Sequence, residues 1–488
     1  MSDSFGEERM LIDGALVASS TGAVFETVNP ATEEVLGVVA DASAQDADRA
    51  VAAARRAFDE SVWSTDLSLR VRCLRQLQVA MRGAAEELRA MTIAETGSPL
   101  FMTRSAQLDD PVESLGWVAD LAESYEWTKD LGRAEPLGMP AQRWLRREPV
   151  GVVAAITPWN VPHQINLAKL GPALAAGNTV LLKPAPDTPW CATMLGRLIA
   201  EETDIPAGVV NVLPSSEPAF GSQLVNDPRV DQVSFTGSTA TGRTVMAQAA
   251  GTLKRVFLEL GGKSAFVVLD DAEMRGACGV AAFTVCVHAG QGCAITTRLV
   301  VPREHFDDAV DVTASALAKL PAGDPTDPGT VCGPLINARQ RDRVERYIAM
   351  ARAEGGEIVT GGGRPADQAR GFFVEPTLVV GIGNDSPVAR EEIFGPVLVV
   401  IPHDGDDDAL HIANDSPYGL SGSVWSGDRD RAMAVAGRLR TGTVGVNGGV
   451  WYSPDVPFGG YKQSGIGREM GVAGFEEYLE TKVVAEPA

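Results

Sequence analysis

The chain has 488 residues, 45% of them apolar and 22% charged, a soluble globular composition with a length that gives about two to four domains. Acidic residues outnumber basic ones 64 to 42, and the net charge of −22 disfavours a nucleic-acid partner, whose phosphates it would repel. No apolar run reaches the ~20 residues of a membrane helix. Met1–Arg9 is polar and acidic, without the basic and apolar regions of a secretion signal, so a cytoplasmic protein is expected.

In chain order, Leu11-Ile12-Asp13-Gly14 and Phe25–Pro30 read as short strands ended by Gly and Asn-Pro turns. Apolar residues at three- and four-residue spacing then predict helices over 44–57 and 68–96. From Val150, buried-strand runs alternate with helices. Strands are expected at 150–156, 179–183, 209–213, 233–236 and 255–260, and helices near 164–174 and 190–203. Such alternation means a parallel sheet with helices on both faces. A second α/β pattern starts near Ser264, with strands at 265–269, 297–301, 378–380, 397–401 and 421–425. Segments 117–147 and 472–484 fit neither pattern. Within the first, Arg143-Trp144-Leu145-Arg146-Arg147 reads as a strand edge with solvated charges.

The six cysteines, at 73, 191, 278, 286, 293 and 332, include no CxxC pair, and the five histidines are scattered, so neither a zinc site nor a disulfide framework is expected. Cys293 stands apart, in His288-Ala289-Gly290-Gln291-Gly292-Cys293-Ala294-Ile295, because the small residues around it leave a thiol open to a substrate. Glu259 is a lone acid inside an apolar strand that ends at Gly261-Gly262. Burial raises a carboxyl's pKa toward the range of a general base, and the thiolate is the nucleophilic form of cysteine. Asn160 follows the strand 150–156 and is held between Pro158 and Pro162, where its amide is placed to donate to a developing oxyanion. His288 offers a Cys–His pair as a rival reading, but is expected instead to shape the pocket wall. Gly237-Ser238-Thr239-Ala240-Thr241-Gly242 follows a strand and opens a helix; it is a cap, and equally a place where backbone N–H groups can hold a pyrophosphate.

With these segments in hand, the chain resembles the hydrolytic, NAD(P)-dependent aldehyde dehydrogenase superfamily. The resemblance rests on Thr157-Pro158-Trp159-Asn160, Leu182-Lys183-Pro184-Ala185, Phe235-Thr236-Gly237-Ser238-Thr239, Leu258–Lys263, Gly290-Gln291-Gly292-Cys293, Glu391–Pro396 and Pro457–Lys462, all in the family's order. It implies an α/β fold, with a Rossmann-like cofactor domain over 1–125 and 148–260, a catalytic domain over 261–462, and a small β extension for oligomerisation over 126–147 and 470–488. A homodimer or homotetramer follows from it.

The resemblance also assigns roles. Cys293 is the nucleophile, Glu259 the base, Asn160 the oxyanion donor, and Lys169 a support for the Asn160–Glu259 region. NAD, with NADP possible, is expected on Ile156, Thr157, Trp159, Lys183, Ala185, Pro186, Gly221, Phe235, Thr236, Gly237, Ser238, Leu260, Gly261, Glu392 and Phe394. The aldehyde pocket is expected to be lined by Val161, Ile165, Ala168, Gly292, Ala294, Trp451 and Phe458, with Tyr452 beside them, and no metal is expected. Small residues at Val161 and Ala168 imply room for bulky hydrophobic aldehydes. Many NAD-preferring relatives carry a glutamate where this chain has Pro186, and Asp187 is expected to turn inward in its place. The glutamate at 259 favours hydrolysis over acyl transfer to coenzyme A, and the intact site disfavours a non-catalytic structural protein.

Overall fold

The computed structural model describes residues 6–488; Met1–Phe5, part of the segment read above as lacking a secretion signal, lie outside the described residues. Two α/β sheets dominate. The first has eight strands in the order Ala15–Val17, Met10–Ile12, Val210–Val212, Thr179–Lys183, Val152–Ile156, Gln232–Thr236, Arg255–Glu259 and Gly465–Ile466. Its five central strands run parallel and its outer pairings are antiparallel. The central strands are buried along almost their whole length because helices cover both faces.

The second sheet has seven strands, ordered Glu357–Thr360, Thr377–Val380, Val397–His403, Thr296–Pro302, Ser264–Val268, Gly422–Trp425 and Gly445–Val446. All its pairings are parallel except that of Glu357–Thr360. Each sheet has its own apolar core, one gathered around Leu74, Leu170 and Leu182 and the other around Val285, Leu299 and Val399. A third sheet holds Thr128–Ala134, Ala141–Pro149 and Leu479–Pro487.

Several expectations change. The helical run over 68–96 is two helices, Leu67–Gly83 and Ala85–Thr96, broken where Ala84 leaves helical geometry at φ −95°, ψ 9° after a glycine. Residues 117–124 belong to the helix Asp109–Ser124, and Gly471–Glu476 is also helical, with Phe475 and Tyr478 buried in the first core. Arg143–Arg147 lies in the middle strand of the small sheet rather than at an edge, paired on both sides. Its charges are tolerated because that sheet keeps its side chains half-buried or exposed.

Candidate active site

Asn160 stands between the carboxyl end of strand Val152–Ile156 and the helix Pro162–Ala176. That helix starts at a proline, whose missing N–H costs nothing there, and stops at Gly177, which takes the left-handed φ of 100°. Asn160 is thereby pinned, and its carbonyl accepts from the Gln107 side chain at 2.8 Å. Its own Nδ2 donates to the Gln291 carbonyl at 2.9 Å. One N–H of the amide is used in that bond and the second is free for an oxyanion.

The loop that leads into Cys293 is built by an unusual backbone. His288, Ala289 and Gly290 have φ of 48°, 52° and 71° in succession. A Cβ on Gly290 would stand 2.2 Å from the Gly395 carbonyl oxygen, so glycine is required there. Gln291 is fully buried and its amide locks the turn, donating to the His288 and Pro334 carbonyls at 3.1 Å and accepting from Ile336 N–H at 2.9 Å.

Two cavities converge here. One, of about 440 Å³, is largely apolar and is lined by Val161, Ile165, Gly292, Ala294, Trp451 and Phe458, among others. The second, of about 560 Å³, is lined by Trp159, Gly237, Ser238, Leu260, Gly261, Glu392 and Phe394, among others. Cys293, Glu259, Asn160, Ile165 and Thr236 belong to both walls. His288 is buried and lines neither cavity, so it does not shape the pocket wall; burial pushes its pKa down to about 4 and keeps it neutral. Burial, then the carboxylates of Glu259, Glu392 and Glu469, push the Cys293 thiol well above its ordinary pKa, while the Ala294 backbone N–H acts against them. Glu259 is buried, and neither carboxylate oxygen has a hydrogen-bond partner. Burial and the Glu469 carboxylate hold its pKa well above the usual carboxylate range, offset only in part by Lys169.

Lys169 does not bond Asn160 or Glu259. Its ammonium donates to Glu469 at 2.9 Å and Ser234 at 3.2 Å, and lies 4.8 Å over the Phe257 ring. Its partner is thus Glu469, which the sequence leaves unmarked as one acid in a glycine-rich loop. Ala168 departs from expectation too: its short side chain is buried and does not reach the cavity wall. Gln164, one turn earlier, faces the cavity instead, with Tyr452 and Met470, and of these only Tyr452 was anticipated.

In the second cavity, Gly262 N–H donates to Glu392 Oε1 at 2.9 Å, and a Cβ on Gly261 would stand 2.4 Å from Glu392 Oε2. Burial raises Glu392 to a pKa of about 7. Arg343 holds its backbone by donating to the Glu392 carbonyl at 2.6 Å and the Ile393 carbonyl at 3.2 Å. Trp159 and Phe394 meet edge to face at 5.3 Å. Ser238 caps the helix Thr239–Ala249, accepting from Thr241 N–H. Ile156, Thr157, Lys183, Ala185, Pro186, Gly221 and Phe235 do not line this cavity. Lys183 pairs in register with Ile156 at the same sheet edge, and Phe235 packs beneath Gly237, where a Cβ would meet its ring at 2.6 Å. Burial lowers Lys183 to a pKa of about 8. Asp187 does not simply turn inward, because its Oδ1 accepts from Asn337 Nδ2 at 2.7 Å. Among the described residues there is no cluster suited to a metal ion, and no helix is long and apolar enough to cross a membrane.

A half-buried thiol, a buried carboxyl and an amide at the junction of two cavities match what the comparisons find. Geranial dehydrogenase from Castellaniella defragrans is 40% identical over 480 residues, covering 98% of each chain. The structure of betaine aldehyde dehydrogenase from Staphylococcus aureus in complex with NAD+ superposes with a TM-score of 0.95 at 35% identity, covering 99% of this chain and 95% of that one. A cysteine-to-alanine variant of aldehyde dehydrogenase C from Pseudomonas syringae, complexed with NAD+ and octanal, does so with a TM-score of 0.93 at 39% identity, covering 99% and 97%. Since the profile of the Aldehyde dehydrogenase family also matches residues 16–484, the chain belongs to that family.

Proposed function

We propose that this protein oxidises a hydrophobic aldehyde to its carboxylic acid, with a nicotinamide dinucleotide as acceptor and water as the final nucleophile. The observation that carries the reading is that the two cavities share one wall, made by Cys293, Glu259 and Asn160. The apolar cavity takes the aldehyde and the other takes the dinucleotide.

The second cavity fits a dinucleotide. Gly261 leaves space beside Glu392, whose Oε2 remains available for ribose hydroxyls, and the N-terminus of the helix Thr239–Ala249 suits a pyrophosphate. The Lys183 carbonyl accepts from Thr157 N–H, but its ammonium has no hydrogen-bond partner among the described residues, which suits an ammonium reserved for the adenosine ribose at the carboxyl edge of the sheet. Bound there, the dinucleotide supplies the hydride acceptor. The first sheet, with its helices, forms the cofactor domain in this reading, and the second carries the nucleophile.

The chain's own groups do the rest. Cys293 passes its thiol proton to the Glu259 carboxylate, which releases it to solvent, as Sγ adds to the aldehyde carbonyl; the oxygen that becomes anionic is held by the free N–H of Asn160 and the Cys293 backbone N–H. One such donor is worth ~3–4 kcal/mol. Loss of hydride leaves a thioester. Glu259, unpartnered and of raised pKa, then takes a proton from water as that water attacks, releasing acid and regenerating the thiol. The Lys169–Glu469 pair sits close enough to Glu259 to act on its charge. A base this close to the thioester favours water over coenzyme A as the acceptor.

The open edge of Thr128–Ala134, with Leu131, Leu137 and Met139 exposed, supports a homo-oligomer joined through the small sheet. A cytoplasmic location remains part of this reading. The test is a panel of aliphatic, aromatic and branched aldehydes with NAD and NADP, reading reduced cofactor and acid formed. Absence of turnover with every aldehyde would overturn the proposal, and a coenzyme A thioester as product would replace its last step.

A further inference from the structure

The aldehyde cavity contains a hydrogen-bonding feature that the reaction does not use. Gln164 lies on its wall, on the first turn of the helix that follows Asn160. The Tyr452 hydroxyl donates to Gln164 Oε1. Gln164 Nε2 carries two N–H groups, and its sole acceptor among the described residues is the thioether of Met470, at 3.5 Å. A thioether is a weak acceptor, so at least one N–H faces the cavity without a partner.

Three elements hold this amide in place. Tyr452 is half-buried and engages its oxygen, which fixes the NH₂ end toward Met470. Met470 itself adopts φ 63°, ψ 173°, a backbone region that side chains other than glycine rarely occupy, and so its sulfur is set by the fold rather than by its own preference. Apart from Cys293, Asn160 and the acids Glu259 and Glu469, the rest of the wall is aliphatic, aromatic, glycine or small hydroxyl, and no lysine or arginine is part of it. An anionic substrate end would therefore enter this chamber without a cation to pair with.

We propose that Gln164, oriented by Tyr452 and Met470, is a specificity residue that selects uncharged aldehydes carrying a hydrogen-bond acceptor, a keto, ether or hydroxyl oxygen, on an otherwise apolar skeleton. This rests on the aldehyde oxidation proposed above and narrows its substrate class. An unpaired donor in an apolar chamber discriminates against a substrate that leaves it unpaired.

The test is a series of straight-chain aldehydes with a keto or ether oxygen moved stepwise along the chain, each compared with the all-carbon aldehyde of equal length and with a carboxylate-ended one. In the wild type, one oxygen position should raise kcat/KM about tenfold over its hydrocarbon match, and the carboxylate should give no such gain. Gln164→Leu should abolish that gain, bringing kcat/KM for the oxygen-bearing aldehyde and its hydrocarbon match within about twofold of each other. Gln164→Glu, which can still accept from Tyr452 but lacks the donor, should abolish it too. A gain that survives both variants, no favoured position in the wild type, or an equal loss on every substrate, as for a purely structural Gln164–Tyr452 latch, would overturn the assignment while leaving aldehyde oxidation intact. Failure to oxidise any member of the series would overturn both.

Discussion

Asn337 joins the two halves of the molecule through Asp187: its Nδ2 donates to the Asp187 carboxylate at 2.7 Å, while its Oδ1 caps the next helix at Gln340 N–H, 2.9 Å away. Asp187 follows the Lys183–Pro186 turn of the first sheet, and Gln340 and Arg343 of the capped helix line the dinucleotide cavity. The carboxylate closest in sequence to the expected 2′-hydroxyl position is thus partly committed elsewhere. A glutamate at 186 would be free to accept from that hydroxyl and to repel a 2′-phosphate. NAD should be preferred by the wild type by less than about a thousandfold in kcat/KM, equivalent to ~4 kcal/mol, and Pro186→Glu should widen the ratio. A narrower ratio in the variant would remove position 186 from cofactor choice.

Cys293→Ala should abolish oxidation and leave NADH affinity within about tenfold of the wild type, because the thiol closes one end of the dinucleotide cavity without holding it. Fluorescence titration checks this; a larger loss of affinity would make the cysteine structural.

Glu259→Gln should separate the two halves of the reaction. Reduced cofactor should appear as a rapid burst followed by little turnover, since thioester hydrolysis has lost its base. The raised pKa also sets the pH dependence. A carboxyl held well above its ordinary value is protonated, and inactive as a base, at pH values where a free glutamate is ionised. Steady-state turnover should therefore rise with pH toward the alkaline side in the wild type, and the Glu259→Gln variant should lose that limb. Stopped-flow traces across pH decide it, and a burst-free, uniformly slow variant would sink the assignment.

Lys169→Met removes the cation from a buried pair. Glu469 is then left in the interior with its charge unmatched, and breaking such a pair typically costs ~3–5 kcal/mol. The melting temperature should fall clearly, and kcat should fall further than KM rises. Lys169→Arg should recover stability better than turnover, because a planar guanidinium cannot reproduce the bonds to both Glu469 and Ser234.

Val161→Phe should narrow the aldehyde cavity, lowering kcat/KM for branched aldehydes about tenfold, on the scale of a misfit in an apolar pocket, with short ones little changed. An aromatic residue at Ala168 would instead crowd a buried helix face and act mainly on stability. Kinetic and thermal measurements on the two variants distinguish these effects, and a reversal of substrate order in Ala168→Trp alone would put Ala168 back on the wall.

Local chemistry made much of this protein legible before any tertiary structure. Buried-strand runs such as Val152–Ile156 and Thr179–Lys183 are apolar on both faces, so their identity and parallel pairing are written in consecutive residues. Cys293, Glu259 and Asn160 were visible because each is a reactive group in a setting of glycine, proline or apolar neighbours that serves no packing need. The remainder depended on distance in sequence. Lys169 meets Glu469 across 300 positions and Asn337 meets Asp187 across 150, and no local pattern encodes either. Helix phase turned Gln164 into the aldehyde cavity and left Ala168 behind it, a rotation decided by how the helix Pro162–Ala176 packs between the first sheet and Asp109–Ser124. Composition and periodicity thus determine the elements and the reactive groups; packing determines which of those groups share a cavity, and with what charge beside them.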